Sequence, residues 1–114
     1  FVFKNFKAVN QIKNKLMLKN TKVLKGIFPN DFKKDLNKYK FKLCHLDVNT
    51  FLSTKKSFYF IENKIIKGGI IIFDDYGIYG ADSIKKFVNQ IYNNYKSKFF
   101  FIKNFQGQCI LIKK

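Results

Sequence analysis

Apolar positions along this chain alternate between two periodicities. In residues 7–18 (KAVNQIKNKLML), Val9, Ile12, Leu16 and Met17 fall at helical spacing, and Asn20 is the expected stop. Thr21–Lys25 (TKVLK) reads as a short strand, followed by the turn signals Gly26 and Pro29. Residues 31–39 have alternating charge and predict a second, weaker helix. Phe41–Val48 (FKLCHLDV) is mostly apolar, as in a strand covered on both faces. Ser53 or Thr54 is placed to cap a helix that carries Phe58, Ile61 and Ile65 and runs to about Ile66, with Lys67-Gly68-Gly69 ending it.

The second half repeats the alternation more strongly. Ile70–Phe73 is a β-branched run and predicts a strand. After the polar turn DDYGIYG, the residues Ala81, Ile84, Phe87, Val88, Ile91, Tyr92 and Tyr95 mark one face of an amphipathic helix. Residues 98–104 and 108–113 then read as two strands joined by a tight turn at Gln106-Gly107, an antiparallel hairpin. Strands alternating with helices predict a Rossmann-like α/β fold: a mostly parallel sheet with helices on both faces, closed by a carboxyl-terminal antiparallel hairpin. With 114 residues and an opening Phe1, the expectation is one domain, 1–114, truncated at its amino terminus.

Composition narrows the classes. The net charge is +16 and all 23 basic residues are Lys. Base reading leans on bidentate Arg, so specific nucleic-acid recognition is not expected, although scattered Lys attracts phosphate at low salt. Apolar runs such as Ile70–Phe73 are far short of the ~20 residues of a membrane-spanning helix, and there is no signal-peptide pattern. A cytoplasmic protein is the expectation. Cys44 and Cys109 have no CxxC partner, so they read as reduced core residues and not as zinc ligands.

The candidate chemistry lies in the acids. Ligands of open α/β sheets gather beyond the carboxyl ends of the strands. Asp47 ends one predicted strand and Asp74-Asp75 ends the next, three of only seven acidic residues in the chain. Converging carboxylates repel unless a cation neutralises them, and oxygen ligands suit Mg²⁺ or Mn²⁺. Such an ion lowers the pKa of a bound hydroxyl. The same three acids also read as turn caps and a strand end, and spacing alone leaves both readings open. His45, the only histidine, shares a strand face with Asp47 and is either a general base or a packed strand residue. Tyr76 is placed to line a substrate pocket or to pack its loop.

The segments HLDVNTFLSTKKS, IIKGGIIIFDDYG and GADSIKKFVN, with KGIFPNDF upstream, resemble the carboxyl half of the macrocin O-methyltransferase (TylF-type) family over roughly residues 20–90. The resemblance implies a class I S-adenosylmethionine-dependent methyltransferase fold, a three-layer sandwich. It implies methyl transfer to a hydroxyl of a small, sugar-like diol, with a divalent metal at Asp47, Asp74 and Asp75. It also places Gly26 and Phe28 near the cofactor and Asn49 near substrate. Two positions depart from the family pattern: Asn49 stands where a second acid is usual, and Phe51 where Tyr is usual. The acidic, Gly-rich turn that would cradle the methionine end of the cofactor is not in the sequence, so the 114 residues alone are expected to be inactive. The competing expectation is a non-catalytic Rossmann-like domain acting as a lysine-rich interaction module. Oligomeric state stays open, a homo-oligomer included.

Overall fold

The computed structural model describes residues 6–80 and 82–114. Helix α1 spans Phe6–Lys15 and stops earlier than Asn20, because Met17 takes a left-handed φ of 53° and Leu18 N–H donates back to the Lys13 carbonyl at 3.1 Å. Residues 21–25 form no strand. A strand needs a neighbour to satisfy its backbone, and none pairs with this segment among the described residues, so its Lys and Thr positions stay solvated. The expected helix at 31–39 shrinks to a 3₁₀ turn, Asn30–Phe32, and one turn of α2, Lys33–Leu36. So short a segment does not recover the cost of helix nucleation beyond a turn.

Strand β1, Phe41–Leu46, leads to helix α3, Phe51–Ile61. The cap of α3 is Thr50, whose hydroxyl accepts from Ser53 N–H at 3.2 Å, so Ser53 and Thr54 lie inside the helix. Thr54 is buried and its hydroxyl donates to the Thr50 carbonyl at 2.8 Å. The helix ends at Ile61, not Ile66, and strand β2, Ile65–Phe73, absorbs the Gly pair. Pairing runs Phe41↔Ile65 and then Leu43↔Ile70, so β2 carries three extra residues against β1. Gly68 takes φ 74° in this bulge, and a Cβ on Gly69 would lie 2.8 Å from the Ile66 carbonyl oxygen. The KGG segment is therefore a strand irregularity, the place where glycine is needed within a strand, and not a helix stop.

Helix α4, Asp82–Tyr95, and strands β3, Phe99–Lys103, and β4, Cys109–Lys113, complete the chain. Ala81 lies outside the described residues. The sheet order is β1-β2-β4-β3, with β1 and β2 parallel and β4 antiparallel to both neighbours. The hairpin expected at the carboxyl terminus is present, but its reversed strand β4 sits inside the sheet and β3 forms the edge.

Period-two alternation sorts the strands into two faces. Leu46, Ile71, Phe73, Phe99 and Leu111 point towards α3 and α4 and are buried with Phe58, Phe87 and Val88. Phe58 is at the centre: its ring lies within 6 Å of those of Tyr59, Phe73, Phe87 and Tyr95. The opposite face carries two rows that cross all four strands, Leu43–Ile70–Ile112–Phe100 and His45–Ile72–Ile110–Ile102. Among the described residues, no helix covers these rows.

Both cysteines are free, and burial pushes each thiol from its ordinary 9.0 up to about 11. A raised folded value favours the protonated thiol, so the stability this provides is complete below about pH 9 and is lost as pH rises towards 11. At pH 8 a thiol reagent should therefore label Cys109, which is fully buried, many times more slowly in the native protein than in urea. Equal rates would show that β4 opens readily.

Candidate active site

The carboxyl ends of the two parallel strands are level. Leu46 pairs with Phe73, and Asp74 N–H donates to the Leu46 carbonyl at 3.0 Å, so Asp47 and Asp74 leave the sheet side by side. Asp75 then adopts φ 58°, a conformation that Asp tolerates better than most residues, and turns the chain into the loop before α4. Because β4 runs the other way, its start is at the same rim: Cys109 pairs with Phe73, which sets Gln108 next to Asp74.

Asp74 is the hub of a polar chain. Its Oδ1 accepts from Gln108 Nε2 at 3.2 Å and from Asp75 N–H at 3.1 Å, and its Oδ2 lies 3.3 Å from His45 Nε2. Gln108 is held in turn by Asn104, whose Nδ2 donates to Gln108 Oε1 at 2.9 Å and whose Oδ1 accepts from the backbone N–H groups of Gln106 and Gln108. The tip of the β3–β4 hairpin also packs on the acidic loop, with Gly77 N–H donating to the Gly107 carbonyl at 2.8 Å. A carboxylate fixed by two donors on one edge and an imidazole on the other is a positioned acceptor for protons.

The other predicted residues fall in three places. Asp47 and Asn49 are exposed beyond the end of β1. Tyr76 is 5% exposed and its hydroxyl donates to Asn89 Oδ1 at 2.9 Å. A hydrogen bond to Tyr76 also holds the Lys103 ammonium above its usual pKa. Tyr76 therefore ties its loop to α4. Phe28 packs edge-on against Phe60, with ring centroids 5.6 Å apart, and Gly26 closes tightly on Phe32 and Asp31; these contacts are on the α3 side and not at the acidic rim.

Donor chemistry tests the expected ion. Among the described residues no three His, Cys, Asp or Glu side chains are grouped to hold a metal, and both oxygens of Asp74 already have hydrogen-bonding partners. In this arrangement the residues do not fit a three-carboxylate cage. Gln108 and Asn104 carry little signal in the sequence: Gln108 is polar at the head of an otherwise apolar predicted strand, beside a Gly turn.

The fold has relatives among known proteins. The chain superposes on the O-methyltransferase NovP with a TM-score of 0.78 at 18% identity, covering 96% of this chain and 45% of NovP. It also superposes on a Staphylococcus aureus protein assigned as a caffeoyl-CoA O-methyltransferase, with a TM-score of 0.74 at 14% identity, covering 95% of this chain and 59% of that one. The chain thus spans about half the length of the structures it matches. A sequence comparison with curated proteins gives no match. The family model for macrocin O-methyltransferase (TylF) matches residues 2–104, nearly the whole chain. The α/β sheet matches those of both solved structures, and the chain belongs to the macrocin O-methyltransferase (TylF) family.

Proposed function

We propose that residues 1–114 form the carboxyl-terminal part of a single methyltransferase domain and carry the acceptor side of an S-adenosylmethionine-dependent O-methyl transfer. The observation that carries this reading is the level rim of Asp47 and the His45–Asp74 pair beyond two parallel strands in a chain matched by the family model. The acceptor is a small molecule with neighbouring hydroxyls, sugar-like in this reading. An acceptor oxygen attacks the methyl carbon, the carbon–sulfur bond breaks, and the hydroxyl proton leaves to a base. Asp47, exposed at the rim, takes that proton, while Asp74 orients His45 beside it. The methyl group is supplied by the sulfonium of the cofactor. Mg²⁺ or Mn²⁺ assistance would first require Asp74 to release Gln108 or His45, so no step here depends on an ion.

A chimera tests the reading: this chain replaces the matching part of NovP, and transfer of labelled methyl to a vicinal diol is measured. The expected result is transfer that falls about 100-fold or more with Asp47→Ala, the scale of a lost general base. A folded chimera that binds cofactor yet ignores Asp47→Ala would sink the role of Asp47. One that binds cofactor and transfers nothing would sink the acceptor-side assignment. The lysine-rich interaction module, favoured by the charge of +16 alone, predicts no transfer and salt-sensitive polyanion binding.

A further inference from the structure

Strand β3, at the edge of the sheet away from β1, forms one side of a cavity that the acidic rim does not share. Period-two alternation puts Phe101 and Lys103 on the same side of β3 as the buried Phe99, facing α4. Helix α4 meets them with Val88, Asn89 and Tyr92, and about 550 Å³ lies between, a volume in the range of small-molecule sites. The floor is apolar, because Val88 and Cys109 are buried. One wall is aromatic, with the rings of Tyr92 and Phe101 edge to face at 5.2 Å. The polar end is set by Tyr76, which is 5% exposed. Its hydroxyl donates to Asn89 Oδ1 at 2.9 Å, leaving Asn89 Nδ2 as a donor without a partner among the described residues. The Lys103 ammonium stands 5.2 Å from the Tyr76 ring centroid, and its contact with Tyr76 favours the charged form. No carboxylate lines the cavity, and Lys103 makes no ion pair among the described residues.

We infer that this cavity binds a small aromatic monocarboxylate, its carboxylate held by Lys103 and Asn89 and its ring laid against Tyr92 and Phe101. Two donors at one end select an acceptor group, and the single ammonium selects one negative charge. A phosphate dianion would keep an unpaired charge against an apolar floor, which is costly. The site is separate from the acidic rim: Lys103 is on β3 and Asp47 follows β1, at opposite edges of the sheet. It therefore stands apart from the methyl-transfer reading, and neither Asp47 nor Asp74 lines it.

The test titrates the full chain with naphthoate and with its neutral amide, naphthamide, and follows backbone amide chemical shifts. The expected result is saturable naphthoate binding with the largest shifts in residues 88–92 and 101–103. Naphthamide should bind about tenfold more weakly or worse, the scale of a lost charge-assisted hydrogen bond. Lys103→Met should weaken naphthoate by about the same factor, while Lys42→Met on β1 leaves it unchanged. Both variants remove one charge from the total of +16, so general attraction to the lysine surface falls equally in the two. Equal weakening by the two lysine variants overturns the proposal, as does naphthamide binding as tightly as naphthoate. Largest shifts at Lys33, Lys55 and Lys56, beside α3, would assign the binding to surface lysines and overturn it as well. So would a chain that is folded by circular dichroism and binds no naphthoate up to about 10 mM.

Discussion

Replacing Phe58 by Ala should lower the unfolding free energy by about 3–5 kcal/mol, the usual cost of deleting a buried Phe side chain. Its ring is fully buried and touches α4 through Phe87 and Tyr95 and the sheet through Phe73. Three elements therefore lose contacts at once. Tyr95 and Phe87 are fixed by other neighbours, including Phe51 and Phe99, so they cannot collapse into the space. A small domain has only ~5–15 kcal/mol in hand, and one with an open sheet face sits at the low end. The variant should be largely unfolded at 37 °C, which a urea titration followed by circular dichroism will show. A shift below ~1.5 kcal/mol would mean that α3 does not pack on the sheet as described.

Much of this core was legible because burial writes itself into periodicity. The helix at Asp82–Tyr95 buries Ile84, Phe87, Val88 and Ile91, and all four stand at helical spacing in the sequence. Ile71 and Phe73 alternate with Ile70 and Ile72, but all four are apolar, so the strand is readable and its two faces are not. An unbroken β-branched run predicts cover on both sides; only the register shows that one side is open. The bulge at Gly68 and Gly69 resembles a helix stop in sequence for a related reason. Glycine ends a helix and interrupts a strand by the same freedom of φ, and the choice depends on whether Ile65 finds Phe41 across the sheet, a contact 24 positions away.

The acidic rim divides in the same way. Strand ends are local, so Asp47 and Asp74 could be placed at one edge from sequence. What Asp74 binds is not local. Gln108 is 34 residues away and reaches Asp74 only because β4 is inserted against β2 in reverse. No spacing rule carries that insertion, and a reading confined to acids therefore expects a cation where the structure has an amide and an imidazole.

Gly77→Val should break this arrangement without touching any of its polar groups. A Cβ at Gly77 would lie 3.0 Å from Gly107 Cα, so backbone must move against backbone, and a branched side chain extends the clash. Gly107 cannot yield easily: it holds φ 80° in the turn, and Ile78 Cγ1 also crowds it, 3.2 Å from where a Cβ would stand. The hairpin tip is then driven off the acidic loop, and the 2.8 Å bond from Gly77 N–H to the Gly107 carbonyl goes with it. Gln108 rides on that tip, so Asp74 loses one of its donors. The expected cost is about 1–3 kcal/mol of stability, the range for overpacking. In the NovP chimera the expected cost is about 100-fold in methyl transfer, since an ångström of misplacement near the reacting groups has that scale. Gln108→Ala removes the same donor but leaves the tip seated, so it should keep stability within about 1 kcal/mol and recover part of the transfer. Equal losses in the two variants would show that the amide contact alone positions Asp74, and no loss in Gly77→Val would show that the hairpin tip plays no part in holding the rim.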